Sequence, residues 1–324
     1  MLPPPTRDAP NGGAPFLFLL RISALSAPFP RRILLLGAHG QVGSALSARL
    51  NVLGALTAFG RAEADFSDPA TLRERVLAER PDIIVNAAAY TAVDRAESEP
   101  ALAHTVNADS PGALADAART LGALLVHYST DYVFSGRKPT PYLEDDATDP
   151  QNVYGRSKRD GEDAIRASGA RHLILRTSWV YAAHGSNFVR TMLRLARERE
   201  TLRVVADQVG APTSADMIAD VTVRCLLRMA HEQTALDGTY HLTAAGATSW
   251  HGFAERIVAD ARAVARVDAL KVREIQALTT AEYPTPAARP ANSRLCCDKL
   301  RNGFGIDLPA WEEGVRAVVA QLMR

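Results

Sequence analysis

The sequence predicts an α/β fold, a Rossmann-like doubly wound parallel sheet with a smaller C-terminal substrate-binding lobe. Three observations predict it. Apolar β runs alternate with helical stretches from Arg31 onward, a glycine-rich turn follows the first of these runs, and the polar motifs fall where strands end. A chain of 324 residues is long enough to bury a large core. Its 47% hydrophobic and 23% charged residues and its net charge of +1 show no electrostatic footprint for a nucleic acid or a membrane surface. Any anionic ligand must therefore be met by local groups.

Residues 1–30 differ in composition from the rest of the chain. Prolines 3–5, the Asn11–Gly13 turn and Pro28 to Pro30 surround an apolar run, Pro15 to Leu20, that is too short to span a membrane. Arg7 is balanced by Asp8, and Arg21 interrupts the run, so the segment lacks the form of a signal peptide. It is read as a disordered or misassigned extension. The expected location is the cytoplasm, in keeping with Cys225, Cys296 and Cys297, which have neither CxxC spacing nor histidine partners for zinc and are read as free thiols.

The first strand, Ile33 to Leu36, enters the glycine turn, and a helical stretch with Leu46 and Leu50 comes next. Ala55 to Phe59, Ala70 to Glu79, Ile83 to Asn86, Ala101 to Leu121 and Leu124 to Ser129 continue the alternation of strand and helix. Beyond about Leu175 it becomes irregular, with loops at Asp207 to Thr213 and Pro284 to Pro290. Residues 31–175 are accordingly assigned to a dinucleotide-binding domain. Residues 176–324 are assigned mainly to the substrate lobe, with some segments returning to the first domain.

The turn reads Gly37-Ala38-His39-Gly40-Gln41-Val42-Gly43. Between a strand and a helix, glycines permit a tight turn and let the backbone approach a pyrophosphate at the helix N-terminus. The spacing is GxxGxxG. No acid for a ribose 2′-hydroxyl is evident after the second strand, where the chain reads Phe59-Gly60-Arg61. Arg61 either meets a 2′-phosphate, which points to NADPH with NADH use left open, or is a solvated surface arginine.

A second constellation combines Ser129-Thr130-Asp131 at a strand end with Tyr154 and Lys158. Their four-residue spacing puts Tyr154 and Lys158 on one face of a helix. A lysine ammonium favours the phenolate of a nearby tyrosine, making it a usable acid–base group. Tyr154 is assigned to protonate a carbonyl oxygen as hydride arrives at its carbon, Thr130 to orient that oxygen, and Lys158 to tune Tyr154 and hold the cofactor ribose. His127 and His172 lack partner spacing and are set aside as core or edge histidines.

The segments GAHGQVG, VNAAAYTAVDRAESEP, STDYVFSG, NVYGRSK, RTSWVY, DQVGAPT and RPANSRL closely resemble the dTDP-4-dehydrorhamnose reductase family of the extended short-chain dehydrogenases/reductases, from about Arg31 to Trp311. The resemblance implies NADPH-dependent reduction of a nucleotide-linked 4-keto sugar. It puts Gly40, Gln41 and Val42 against the pyrophosphate, flanked by Gly37 and Gly43, with Asp65 and Phe66 near the adenine. Ala88, Ala89 and Tyr90 lie along the adenosine and ribose path, and Tyr90 stands where some relatives have histidine.

On the substrate side the resemblance implies Thr130, Asp131, Trp179, Arg289, Asn292 and Ser293, with Asn187 and Gln208 as weaker candidates and Asp207 bracing its loop. An indole face suits a deoxyhexose, though Trp179 also fits a core position, and a guanidinium suits a diphosphate, though Arg289 also fits a solvated loop. No catalytic metal is expected, the partner is a nucleotide-sugar substrate, and a homodimer is compatible with the resemblance. Two alternatives stay open: a reductase of another nucleotide-linked 4-keto sugar, and a non-catalytic nucleotide-binding regulatory subunit of the same fold.

Overall fold

The computed structural model describes residues 31–231, 236–264 and 270–324. The expectation for residues 1–30 lies outside them. Six parallel strands form the central sheet: β1 (Arg31–Leu36), β2 (Gly54–Phe59), β3 (Ile83–Asn86), β4 (Leu124–Thr130), β5 (His172–Thr177) and β6 (Gly238–His241). Their order across the sheet is β2-β1-β3-β4-β5-β6. After β1 the chain adds β2 on one side and then returns to add β3 on the other. The crevice above the carboxyl ends of β1 and β3 is therefore the topological switch point, where an open α/β sheet receives its ligand.

The sheet is covered on both faces, and the two-residue period of a strand decides which side chain goes where. Ile33 and Leu35 of β1 pack into a cluster with α1 (Gln41–Ser47), α6 (Ala215–His231), α7 (Trp250–Val264) and α9 (Trp311–Leu322). Leu34 and Leu36 point the other way, into a cluster with α2 (Pro69–Glu79), α3 (Ser110–Leu121) and Ile165 of α4 (Val153–Ser168). All four are buried, each leucine contributing about 1.5–3 kcal/mol by leaving water. Two further helices, α5 (Phe188–Glu198) and α8 (Asp298–Phe304), belong to the C-terminal half. No helix of the described residues is long and apolar enough to cross a membrane.

Two details position the site. The expected helix from Ala101 to Leu121 contains a π turn, Thr105–Asp109, between Pro100–His104 and α3. A π turn widens the backbone locally, and here it carries buried Asn107, whose Oδ1 accepts from the Tyr90 N–H at 2.8 Å and whose Nδ2 donates to the Ser157 hydroxyl at 3.0 Å. Helix α4 starts on Asn152, which caps the Gly155 N–H at 2.7 Å, and ends on Gly169 in the left-handed conformation. The structure thus makes Tyr154 and Lys158 helical, in its first two turns. The position at which the sequence divides the chain, after residue 175, falls within β5, and β6 and α6 from beyond it build the central sheet and its cover.

Candidate active site

A cleft of about 520 Å³ opens at the switch point, lined among others by Gly37, Gly40, Arg61, Asp65, Phe66, Ala88, Ala89 and Tyr90. Eight of the expected cofactor positions therefore share one wall. Gly37 has φ +77°, and a Cβ on it would lie 2.6 Å from the Ala88 backbone nitrogen. Only glycine lets the β1 turn sit this close to the end of β3. The small residues along this wall leave its backbone bare, which fits a dinucleotide.

Arg61 is exposed at the rim of the cleft. Asp65 is turned to its own loop, accepting from the Ser67 N–H and hydroxyl at 2.8 Å each, and these bonds hold its carboxyl below the ordinary range. The ring of Phe66 belongs to the core. The Tyr90 hydroxyl donates to Glu99 at 2.6 Å, so this side chain is held at the cleft wall.

Three of the turn residues expected to hold the cofactor do not line this cleft. Gly43 is buried where a Cβ would collide with the Gly37 carbonyl oxygen, and Val42 packs on the core. The Gln41 Oε1 accepts from Asn187 Nδ2 at 2.8 Å. Asn187 is also the cap of α5, its Oδ1 accepting from the Arg190 N–H at 3.1 Å and its Nδ2 donating to the Ala182 carbonyl. It ties α5 to the glycine turn.

At the end of β4, the Thr130 hydroxyl donates to Asp131 Oδ1 at 3.0 Å and lies beside the Tyr154 phenol. Burial pushes the Tyr154 phenol up to about 12; the nearby Thr130 hydroxyl opposes this and the Asp131 charge adds to it. The Tyr154 ring meets Tyr132 edge-on, with centroids 5.5 Å apart. Asp131 is buried with Oδ2 unpartnered among the described residues, and burial raises its carboxyl to about 6, against the pull of the Ser293 and Thr130 hydroxyls. Thr130, Asp131, Tyr154 and Ser293 thus form one polar cluster.

Lys158 is buried on the same helix, and its Nζ is bonded to the Tyr128 carbonyl at 2.7 Å and to His127 Nε2 at 3.1 Å. Burial lowers the lysine to about 8, with Glu162 opposing. His127, set aside on sequence grounds, has partners on both ring nitrogens, because Nδ1 meets Asn86 Nδ2 at 3.0 Å. The missed signal is register: Asn86 and His127 are paired residues of β3 and β4, and sequence spacing does not reveal strand adjacency. His172, the first residue of β5, bonds the nearby Ala170 carbonyl at 2.9 Å.

The substrate-side residues divide in two. Trp179 is half-buried in the left-handed conformation, φ 48°, which is rare for a bulky residue and marks local strain. Its indole stacks on Trp250 with centroids 3.6 Å apart, and a Cβ at Gly210 would intrude on it at 2.6 Å. Trp250 carries no motif, and its partnership with Trp179 exists only in the fold. Gln208 joins this group, accepting from Trp250 Nε1 at 3.2 Å and donating to Thr280 at 3.0 Å, while Asp207 accepts from the Thr280 N–H and hydroxyl and so braces the loop.

Arg289 and Asn292 are engaged elsewhere. Arg289 pairs with Asp94 at 2.8 Å and donates to the Ala287 carbonyl. The amide of Asn292 fastens residues 138–140, donating to the Lys138 carbonyl at 2.6 Å and the Thr140 carbonyl at 2.9 Å.

A glycine turn at the switch point of a parallel sheet, with a Thr at the end of β4 and a Tyr and Lys four residues apart on α4, defines a member of the extended short-chain dehydrogenase/reductase class. The family described as RmlD substrate binding domain matches residues 31–324. A dTDP-4-dehydrorhamnose reductase of Burkholderia thailandensis is 51% identical over 295 residues, 90% of this chain and 99% of that protein. One of Salmonella typhimurium is 49% identical over 294 residues, 90% of this chain and 97% of that protein. A crystal structure of dTDP-4-dehydrorhamnose reductase from Bacillus anthracis in complex with NADP superposes with a TM-score of 0.82 at 38% identity, covering 90% of this chain and 100% of that one. The chain belongs to the dTDP-4-dehydrorhamnose reductase family.

Proposed function

We propose that this protein is a cytoplasmic enzyme that reduces the 4-keto group of dTDP-4-dehydro-β-L-rhamnose to give dTDP-L-rhamnose, with NADPH as reductant and NADH as a second choice. The observation that carries the reading is the convergence of Thr130 and Tyr154 at the end of β4, beside a cleft walled by the glycine turn. NADPH, when bound, supplies the hydride that reduces the carbonyl carbon. Tyr154 donates its phenolic proton to the carbonyl oxygen, and its raised pKa keeps that proton in place at neutral pH until charge builds on the oxygen. Thr130 hydrogen-bonds the same oxygen and orients it. Lys158 approaches the cofactor ribose and assists Tyr154.

In this reading Gly37, Gly40, Ala88 and Ala89 supply a narrow wall for the cofactor, and Arg61 at the rim receives a 2′-phosphate. Gln41, Val42 and Gly43 act by holding the turn. Asp131 and Ser293 contact the sugar beside Thr130, with Trp179 and Gln208 on its other side. Arg289 reaches a diphosphate by exchanging Asp94 for it. Residues 31–175 mainly hold the cofactor and residues 176–324 mainly shape the substrate side.

The test is NADPH oxidation followed by absorbance, with dTDP-4-dehydro-β-L-rhamnose made in place, beside NADH and a different nucleotide-linked 4-keto sugar. Rapid oxidation selective for the rhamnose precursor is expected. Turnover of the other sugar alone would reassign the substrate, and NADPH binding without turnover of any keto sugar would favour a nucleotide-binding regulatory subunit.

A further inference from the structure

Behind Lys158 lies a chain of buried polar groups whose donors and acceptors can be counted. Asn86, His127 and Lys158 are each about 1% exposed. Asn86 Oδ1 accepts from the Ala88 backbone N–H at 3.0 Å, which turns the amide NH₂ toward His127 Nδ1, also at 3.0 Å. A neutral imidazole has one N–H and one acceptor nitrogen. The His127 ring is neutral, because its complete burial holds it well below the ordinary histidine range. Nδ1 must accept from Asn86, so the ring proton resides on Nε2, 3.1 Å from Lys158 Nζ. An ammonium has no lone pair and would set donor against donor at this contact. An uncharged amine accepts there and still donates to the Tyr128 carbonyl at 2.7 Å.

We propose that His127, oriented by Asn86, is a positioning residue that donates its Nε2–H to Lys158 Nζ and so favours the uncharged amine. The inference rests on the reading of Lys158 as part of a reductase site. The other ionisable groups around the lysine do not remove the conflict. On its own helix, Tyr154 stands one turn before it as a neutral phenol. Glu162, one turn after it, favours the ammonium, but this carboxylate is already shared by Arg176 of β5 at 2.9 and 2.7 Å and Arg166 at 3.1 Å. On β4, Tyr128 hydrogen-bonds Thr222, and Asp131 lies toward Tyr154. The π turn contributes Asn107, which is uncharged. His127 thus presents a hydrogen-bond donor to the lysine nitrogen and links it through Asn86 to Ala88 on the cofactor cleft.

The experiment reads protonation directly. In the cofactor-free wild-type protein, the imidazole ¹⁵N resonances of His127 should show Nε2 protonated and Nδ1 bare at a pH above the lysine midpoint, and the Lys158 ¹³Cε signal gives that midpoint. In His127→Gln the side-chain amide can turn its oxygen to the ammonium, so the midpoint should rise by about one pH unit. The alkaline limb of kcat/KM should move with it, a change that a merely structural role would not produce. A protonated Nδ1 in the wild type, or an unmoved midpoint in the variant, would overturn the proposal. If His127→Gln does not fold, the wild-type tautomer alone decides. Because both resonance measurements need no substrate, a failure of the reductase reading appears separately, as absent turnover with an intact His127 tautomer.

Discussion

Tyr154 and Asp131 show what single residues at this site do with burial. Replacing Tyr154 with Phe removes the proposed proton donor while keeping the ring against Tyr132, so kcat should fall by about 10²–10⁴-fold with cofactor affinity nearly unchanged; unaltered turnover by absorbance would refute the assignment. Asp131 has a folded-state pKa of about 6 against an ordinary 3.8. A carboxyl raised on folding stabilises the protein below its unfolded pKa, and that stabilisation is lost as the pH rises through about 6. Asp131→Asn should therefore raise stability at pH 7 by up to about 3 kcal/mol and flatten the slope between pH 4 and 6 in urea unfolding. Arg61, exposed at the cleft rim, belongs to the same scale. Arg61→Ala should raise KM for NADPH by about 10-fold or more and leave KM for NADH nearly unchanged; an equal change for both would remove the 2′-phosphate role.

Elements bring these residues together through close backbone approaches. A Cβ at Gly161 of α4 would collide with the Asn107 carbonyl oxygen in the π turn. Gly161→Ala should cost about 1–3 kcal/mol, seen as a lower Tm, and should also weaken cofactor binding because Asn107 holds the Tyr90 backbone at the cleft. A Tm equal to wild type would show that α4 can shift without cost. The glycine turn, the alternation of strand and helix and the Tyr154 to Lys158 helix were all legible, since each rests on a local pattern of period, cap or turn. The π turn was not, because its residues read as part of one helix from 101 to 121. Nor were the Asn86 to His127 pair or the Trp179 to Trp250 stack, which join residues distant in sequence.

Across the molecule, the N-terminal and C-terminal halves share one core. Ile33 and Leu35 of β1 pack in the same cluster as Phe253 of α7 and Trp311, Val315 and Val319 of α9, and β6 completes the sheet beside β5. Residues 31–175 expressed alone would leave one face of the sheet covered only by α1 and the turn after it, and should show no cooperative unfolding transition by circular dichroism. A sharp transition there would show an independently stable domain. Hydrophobic period and short-range spacing suffice to specify the parallel α/β architecture, the dinucleotide turn and the Thr130, Tyr154 and Lys158 set, and all of these can be read along the chain. That Gln41 holds Asn187, that Asn187 and Asn292 brace backbone, that Arg289 is paired with Asp94, and that His127 stands against Lys158 is settled by folding alone. Those outcomes depend on which strands and loops become neighbours, and on which buried donor then finds which acceptor.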